Sequence, residues 1–71
     1  MQLLVYNNYT LIATAFMGED ERWIGEVELI SSHDNPINVQ NPIVFDNASF
    51  DSKEEAEDFA MHGAEFFIEN Q

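Results

Sequence analysis

The sequence predicts an α+β domain: a three-stranded antiparallel β-meander with one C-terminal α-helix packed on one of its faces (β-β-β-α). Residues 9–17 and 23–30 each alternate apolar side chains with other side chains, which is the period of a strand. After Ser52, apolar side chains recur at spacings of three and four, which is the period of an amphipathic helix. A chain of 71 residues supports one hydrophobic core, so we expect a single domain over residues 1–71.

The first predicted strand, Tyr9 to Met17, has one apolar face and a second face that is only partly polar. Before it, Leu3 to Tyr6 is a short apolar segment, and Asn7-Asn8 is a predicted turn because asparagine tolerates left-handed backbone geometry. The short segment either pairs as a separate strand or runs straight into the next one. The apolar face of the predicted strand consists of Tyr9, Leu11, Ala13, Ala15 and Met17.

A polar turn from Gly18 to Arg22 leads to the second predicted strand, Trp23 to Ile30, and the two strands form a β-hairpin. Ser31 to Pro42 is a predicted polar loop that contains both prolines. Because proline is poorly accommodated in a central strand, the third strand is expected after the second proline, around Ile43 to Phe45. Asn47 to Asp51 is then expected to turn the chain.

The C-terminal helix has the clearest pattern in the sequence. Ser52 and Glu55 have the spacing of a capping box, in which the Ser52 hydroxyl accepts from the backbone N–H of Glu55 and the Glu55 carboxylate reaches back to the Ser52 amide. The helix is expected to fray by Asn70. Its apolar stripe consists of Ala56, Phe59, Ala60, Gly63, Ala64, Phe67 and Ile68.

The predicted core lies between this helical stripe and the sheet. The alanines and the glycine of the stripe allow the helix to approach the sheet closely, while the phenylalanines flank that contact. The expected core residues are Leu11, Trp23, Val27 and Leu29 on the sheet, with Phe59, Phe67 and Ile68 on the helix.

One helix covers only one face of a sheet, so apolar side chains on the other face are expected to be exposed in a monomer. An exposed apolar patch rimmed by acidic residues is typical of a protein interface. We therefore expect self-association or partner binding through this face or through a sheet edge, unless the loop from Ser31 to Pro42 covers part of it. The expected self-association residues of a homodimer or oligomer are Ile12, Phe16, Ile24 and Ile30.

Charge is the second feature that bears on function. Fourteen Asp and Glu residues stand against two basic residues, Arg22 and Lys53, for a net charge of −12. A nucleic-acid-binding protein needs several Lys or Arg to displace phosphate counterions, so we expect no direct nucleic-acid binding. We also expect no membrane association, because no segment resembles a membrane span and acidic headgroups would repel the surface. No secretory signal is recognisable, so the expected location is the cytoplasm.

The excess of carboxylates predicts a basic protein as partner. Spaced carboxylates can occupy a basic, nucleic-acid-binding groove in place of phosphates, with an attraction that speeds association and falls with salt. In size and charge the chain is similar to small phage-type inhibitors, anti-CRISPR proteins among them. We therefore expect a non-enzymatic inhibitor of a nucleic-acid-handling system. The expected partner-binding acids are Glu19, Asp20, Glu21, Glu54, Glu55, Glu57 and Asp58.

Patterns that would support catalysis or metal binding are few. The sequence has no nucleophile elbow, no Gly-rich phosphate loop and no cysteine. Asp58, His62 and Glu65 share one helix edge and could hold a divalent cation weakly, although a solvated helix edge is the simpler interpretation. His33 and Asp34 are adjacent in a loop. We predict neither enzymatic activity nor a cofactor or metal, with an enzyme subunit or a weak metal-binding domain as an alternative hypothesis.

Three sequence patterns carry a resemblance to known proteins. They are Tyr6-Asn7-Asn8-Tyr9 with alternating Leu11, Ala13 and Ala15, then Trp23-x-x-x-Val27-x-Leu29, and Phe50-Asp51-Ser52-x-x-Glu55-Ala56. Together they resemble small uncharacterised bacterial β-β-β-α proteins and, more distantly, the HicB-like antitoxin domain, a relative of double-stranded-RNA-binding-like folds. The resemblance implies the fold and one alternative function, an antitoxin module that neutralises a small toxin by direct contact. HicB-like proteins generally add a DNA-binding segment, for which these residues leave no room.

Overall fold

A computed structural model describes residues 1–31 and 42–70. These residues form four strands, β1 (Gln2–Tyr6), β2 (Tyr9–Met17), β3 (Trp23–Ser31) and β4 (Ile43–Phe50), followed by one helix, α1 (Lys53–Glu69). The strands are antiparallel in the order β1-β2-β3-β4. The predicted α+β class with a β-meander and a C-terminal helix is confirmed, but the prediction of three strands is wrong because the sheet has four. Most of the predicted polar loop, residues 32–41, lies outside the described residues.

The additional strand is β1, which the sequence left undecided between a separate strand and a continuation of β2. Asn7 and Asn8 both adopt positive φ angles, 48° and 69°. This pair of left-handed residues is typical of a two-residue type I′ hairpin turn, whose twist matches that of the flanking strands. The chain therefore reverses between Tyr6 and Tyr9, which face each other across the hairpin.

The last strand is longer than predicted, and the expected turn at residues 47–51 is wrong. Gly25 of β3 is paired with Phe45, and Trp23 is paired with Phe50, so β4 advances five residues where β3 advances two. A bulge of this kind keeps a strand in the sheet while its extra residues stay unpaired. The bulge interrupts the period-two alternation, which is why the sequence pattern indicated a strand only around its start.

The predicted N-terminal cap of α1 is confirmed at Ser52, whose hydroxyl accepts from the backbone N–H of Glu55 at 3.1 Å. The return contact differs from the expected one. The Ser52 hydroxyl donates to Glu55 Oε1 at 3.1 Å, where we expected the Ser52 amide to donate. The helix ends at Glu69, and the Asn70 side-chain amide donates to the Phe66 carbonyl at 2.8 Å. The predicted end of the helix is therefore confirmed.

The core lies between α1 and the sheet face that it covers, here called the inner face. The prediction is confirmed for Leu11, Val27, Leu29 and Ile68, which are buried. It is wrong for Phe59 and Phe67, whose side chains are exposed, and for Trp23, which is only half-buried. The remaining buried apolar residues of the described chain are Ala13, Ala56, Ala60, Met61 and Ala64.

Close approach of the helix explains why the large aromatic side chains lie outside the core. A Cβ atom built on Gly25 would lie 2.2 Å from the carbonyl oxygen of Ala56, so the helix backbone rests directly on β3. Only small side chains fit between two backbones at that separation. Phe59 is displaced to the flank, where its ring packs against Phe45 at 5.7 Å and Phe50 at 5.2 Å between centroids.

Candidate partner-binding surfaces

Arg22 joins the β2–β3 turn to the start of the helix. Its Nε donates to the Ser49 hydroxyl at 2.8 Å, and its Nη2 donates to the Ser49 carbonyl at 2.9 Å. Its Nη1 makes an ion pair of 2.5 Å with Asp51, the residue before the helix cap. We call these three contacts the clamp. Because its groups come from distant parts of the chain, the clamp brings the turn at residues 18–22 to the N-terminal end of α1.

The clamp gathers acidic side chains from two separate segments at one end of the molecule. All of them are exposed, and we call this group the acidic end: Glu19, Asp20, Glu21, Asp51, Glu54 and Glu55. Five of these residues belong to the acids predicted from the sequence. The site prediction missed Asp51, and the contact with Arg22 that places it there joins residues 29 positions apart. The sequence alone carries no signal for a contact of that range.

Glu57 and Asp58, the other two predicted acids, differ from each other in exposure. Glu57 is only 4% exposed, so the prediction of a partner-facing side chain is wrong. Its buried Oε2 forms an ion pair of 2.9 Å with the α-amino group of Met1. Asp58 is exposed on the helix flank, where it accepts a 2.7 Å hydrogen bond from the Gln2 amide.

The helix flank beside β1 carries a second tie near its other end. The Tyr6 hydroxyl donates to the carboxylate of Glu69. This hydrogen bond, together with partial desolvation and the negative charges of Glu69 and Glu65, raises the pKa of Tyr6 above its usual 10.0. Asp58 and Glu69 therefore tie β1 to the helix, and Glu69 lies at the opposite end of α1 from the acidic end.

Basic side chains do little to balance the acidic end. The sequence has two, and Arg22 is engaged by Asp51 and Ser49. Lys53 is exposed in the first turn of α1, where the helix dipole favours acidic rather than basic groups. The carboxylates of the turn and of the helix start consequently face solvent as a net negative surface.

Glu21 has an unusual backbone conformation within this surface. Its φ angle is 60°, in the left-handed region that costs a residue with a Cβ atom about 1 kcal/mol relative to glycine. The turn is closed by a 2.7 Å hydrogen bond from the Gly18 N–H to the Arg22 carbonyl. A glutamate therefore occupies a turn position for which glycine or asparagine would be less strained.

The outer face of the sheet, opposite the helix, carries the residues predicted for self-association. Phe16 is 40% exposed, and the other predicted residues are half-buried. The register also places Leu3, Val5 and Val44 on this face, all of them exposed. We missed Leu3 and Val5 because the sequence left β1 undecided, and we assigned Val44 to no face although we predicted a strand around Ile43 to Phe45. The predicted residues are Ile12, Phe16, Ile24 and Ile30.

Polar residues divide the outer face into two apolar groups. Phe16 and Ile24 are cross-strand partners near the acidic end. The next cross-strand pair, Thr14 and Glu26, is hydrogen-bonded at 3.4 Å and separates them from the rest. The second group is larger and lies beside β1. It consists of Leu3, Val5, Ile12 and Ile30.

Among the described residues, no three His, Cys, Asp or Glu side chains lie close enough to hold a metal ion. The triplet Asp58, His62 and Glu65 therefore forms no metal cluster in the structure. His33 and Asp34 lie outside the described part of the chain.

The described chain contains an apolar pocket of about 480 Å³ between the C-terminal half of α1 and the start of β4. The lining contains no titratable group that could act as an acid, a base or a nucleophile. It consists of Ile43, Phe45, Gly63, Phe66, Phe67 and Asn70.

In the part of the chain that the structure describes, no helix has the length and apolar character needed to cross a membrane. Comparison with protein-family models, curated proteins and solved structures finds no match to this chain.

Proposed function

We propose that the chain is a non-enzymatic protein-binding domain whose acidic end docks on a basic surface of another protein. The observation that supports this most directly is the convergence of the β2–β3 turn and the helix start through Arg22. We further propose that the basic surface is a nucleic-acid-binding groove and that the domain inhibits, in the cytoplasm, the protein that carries this groove. Self-association through the outer face of the sheet is part of the same proposal.

Energetic considerations support a function for the acidic end beyond solubility. A net charge of −12 on 71 residues is larger in magnitude than a small domain needs to stay soluble, and it destabilises the compact state by self-repulsion. Glu21 adds backbone strain at the same place. Strain and repulsion concentrated at one surface are common where residues are retained for binding.

The charge reversal Glu54→Lys tests the proposal, with Glu69→Lys as a matched control. Both residues are exposed glutamates of the same helix, about 22 Å apart at the rise of an α-helix. Because Glu69 also accepts the hydrogen bond of Tyr6, circular dichroism checks that Glu69→Lys keeps the parent fold. Partners captured from the native host are assayed for nucleic-acid binding with and without the domain. We expect the domain to displace nucleic acid from its partner, and Glu54→Lys to weaken the complex roughly tenfold while Glu69→Lys changes little.

Salt dependence provides the second readout of this experiment. The affinity of the unsubstituted domain should fall steeply as ionic strength rises, and Glu54→Lys should flatten that slope. Equal loss from the two variants, or a slope that Glu54→Lys leaves unchanged, would contradict docking by the acidic end. Capture of a small toxin whose activity the domain abolishes would favour the antitoxin hypothesis instead.

A further inference from the structure

We propose that β1 is a docking edge for a second copy of this chain. The β1 strand of each copy would pair antiparallel with the β1 strand of the other about a two-fold axis, joining the two sheets. This goes beyond the proposed function, because edge pairing requires neither a basic partner nor contact between outer faces.

The two edges of the sheet differ in how well they are protected against strand addition. Natural edge strands are commonly blocked by charged residues, prolines or bulges. Strand β4 has a bulge and the exposed Asp46. Strand β1, with the sequence QLLVY, has no charge, no proline and no glycine, and its register with β2 is regular. Within the described residues, β1 is therefore the edge that is open to another strand.

Charge distribution favours a second copy as the occupant. Residues 1–18 contain no charged side chain, so all the acidic and basic side chains of this strongly acidic protein come after β2 in the sequence. Two copies repel each other through most of their surfaces, but the β1–β2 hairpin itself adds no charged side chain to a contact with its own copy, so repulsion at this edge is limited to the helix carboxylates beside β1. A basic partner would gain nothing from this neutral strand and would be drawn to the acidic end instead.

The hairpin register determines which backbone groups point out of the sheet. The residues flanking a two-residue turn exchange hydrogen bonds with each other, and this direction then alternates along the strand. Tyr6, Leu4 and Gln2 therefore bond to β2, while the N–H and C=O groups of Leu3 and Val5 point to the free edge. A two-fold axis at Leu4 sets Leu3 opposite Val5 of the second copy, so each outward N–H meets an outward carbonyl.

Side chains are complementary in the same register. Leu3 and Val5 are 63% and 71% exposed on the outer face, and the axis places them beside their counterparts in the second copy. The larger apolar group of the outer face thereby becomes one continuous strip across the two copies. On the inner face, Leu4 meets Leu4 of the second copy. The carboxylates of Asp58 and Glu69 also face this edge, but each is hydrogen-bonded to β1 of its own copy.

The substitution Val5→Pro tests the edge directly. It removes an outward N–H and leaves the β1–β2 ladder intact, and proline is tolerated on an edge strand in that position. Light scattering after size exclusion should give the unsubstituted protein at least twice the 8.2 kDa chain mass. Val5→Pro should halve the observed mass, with an unchanged circular dichroism spectrum. An unsubstituted protein that stays at the chain mass, or a Val5→Pro variant of unchanged mass, would overturn the inference.

A second variant covers the case in which proline perturbs the fold. Leu3→Glu with Val5→Glu places acids on exposed positions and brings like charges together only in the paired state, so it should also halve the mass. Phe16→Ser is the matched control for the outer face, since it lies outside the edge and should leave the edge contact intact. Edge association should strengthen as salt rises, whereas partner binding by the acidic end should weaken, so the two proposals can fail independently.

Discussion

At the scale of single residues, Gly25 determines how closely the helix approaches the sheet. We expect Gly25→Ala to destabilise the fold by about 3 kcal/mol, because the new Cβ would meet the backbone carbonyl of Ala56, which cannot move without shifting the helix. Urea denaturation followed by circular dichroism measures this loss.

Two other glycines provide controls for that substitution. A Cβ on Gly18 would meet the side-chain end of Ile24 at 2.9 Å, and a Cβ on Gly63 would meet the ring of Phe45 at 2.6 Å. Side chains move more easily than backbone, and alanine gains about 1 kcal/mol of helix propensity at position 63. Both control variants should cost less than Gly25→Ala, and an equal cost at all three sites would show that close backbone approach is not the cause.

Single positions also show where sequence patterns stop predicting burial. Leu11, Val27 and Leu29 are correctly predicted because alternation assigns them to the face that the helix covers. The prediction for Phe67 is wrong because the apolar spacing of the helix indicates on which side of the helix a side chain lies. It does not indicate how much space there is between the helix and the sheet. Glu57 failed for the opposite reason, since a charged residue on a helix is ordinarily exposed and its burial depends on tertiary packing.

At the scale of elements, the N-terminal cap of α1 is the contact that residue types predict best. We expect Ser52→Ala to destabilise the fold by about 1 kcal/mol, because the N–H of Glu55 loses its acceptor. Ser52→Asp retains an acceptor and should restore most of the stability. Thermal denaturation of the three proteins distinguishes these outcomes, and an alanine variant as stable as the parent would show that the cap contributes nothing.

Other elements were predicted only where their pattern is local. Strands β2 and β3 and the helix follow from periodicity, which a short segment determines by itself. Recognising β1 required two consecutive asparagines to adopt left-handed geometry, which their residue type permits but does not impose. The full length of β4 depends on a bulge. Only the pairing of β4 with β3 shows which residues the bulge leaves unpaired. Elements that depend on tertiary pairing were therefore missed or shortened.

At the scale of the whole molecule, the charged side chains are unevenly distributed, although Asp58 and Glu69 of the helix lie beside β1. The β1–β2 hairpin is free of charged side chains, and the acidic end lies where the β2–β3 turn meets the helix start. Composition alone predicted the excess of acids, but their convergence depends on Arg22 contacts between remote residues. On the two proposals made above, this distribution would let one small domain present a strand without charged side chains to its own copy and an anionic surface to a different protein.

The same charge distribution implies a conflict between stability and binding. We expect Glu19→Gln with Glu21→Gln to raise the melting temperature by roughly 5 °C at low salt, since self-repulsion at the acidic end decreases. Both side chains are exposed and lack a side-chain hydrogen bond within the described residues, so little else should change. The proposed function further predicts that the same variant binds a basic partner more weakly than the parent does.

Thermal denaturation at 1 M salt is the control for that prediction. Screening at this ionic strength acts over about 3 Å, so repulsion between exposed carboxylates largely disappears while local contacts persist. The difference in melting temperature between variant and parent should therefore shrink towards zero. If the difference in melting temperature stays the same at high salt, the effect comes from local conformation, because Glu21 is the strained residue. Electrostatic repulsion would then not be the reason why these acids destabilise the fold.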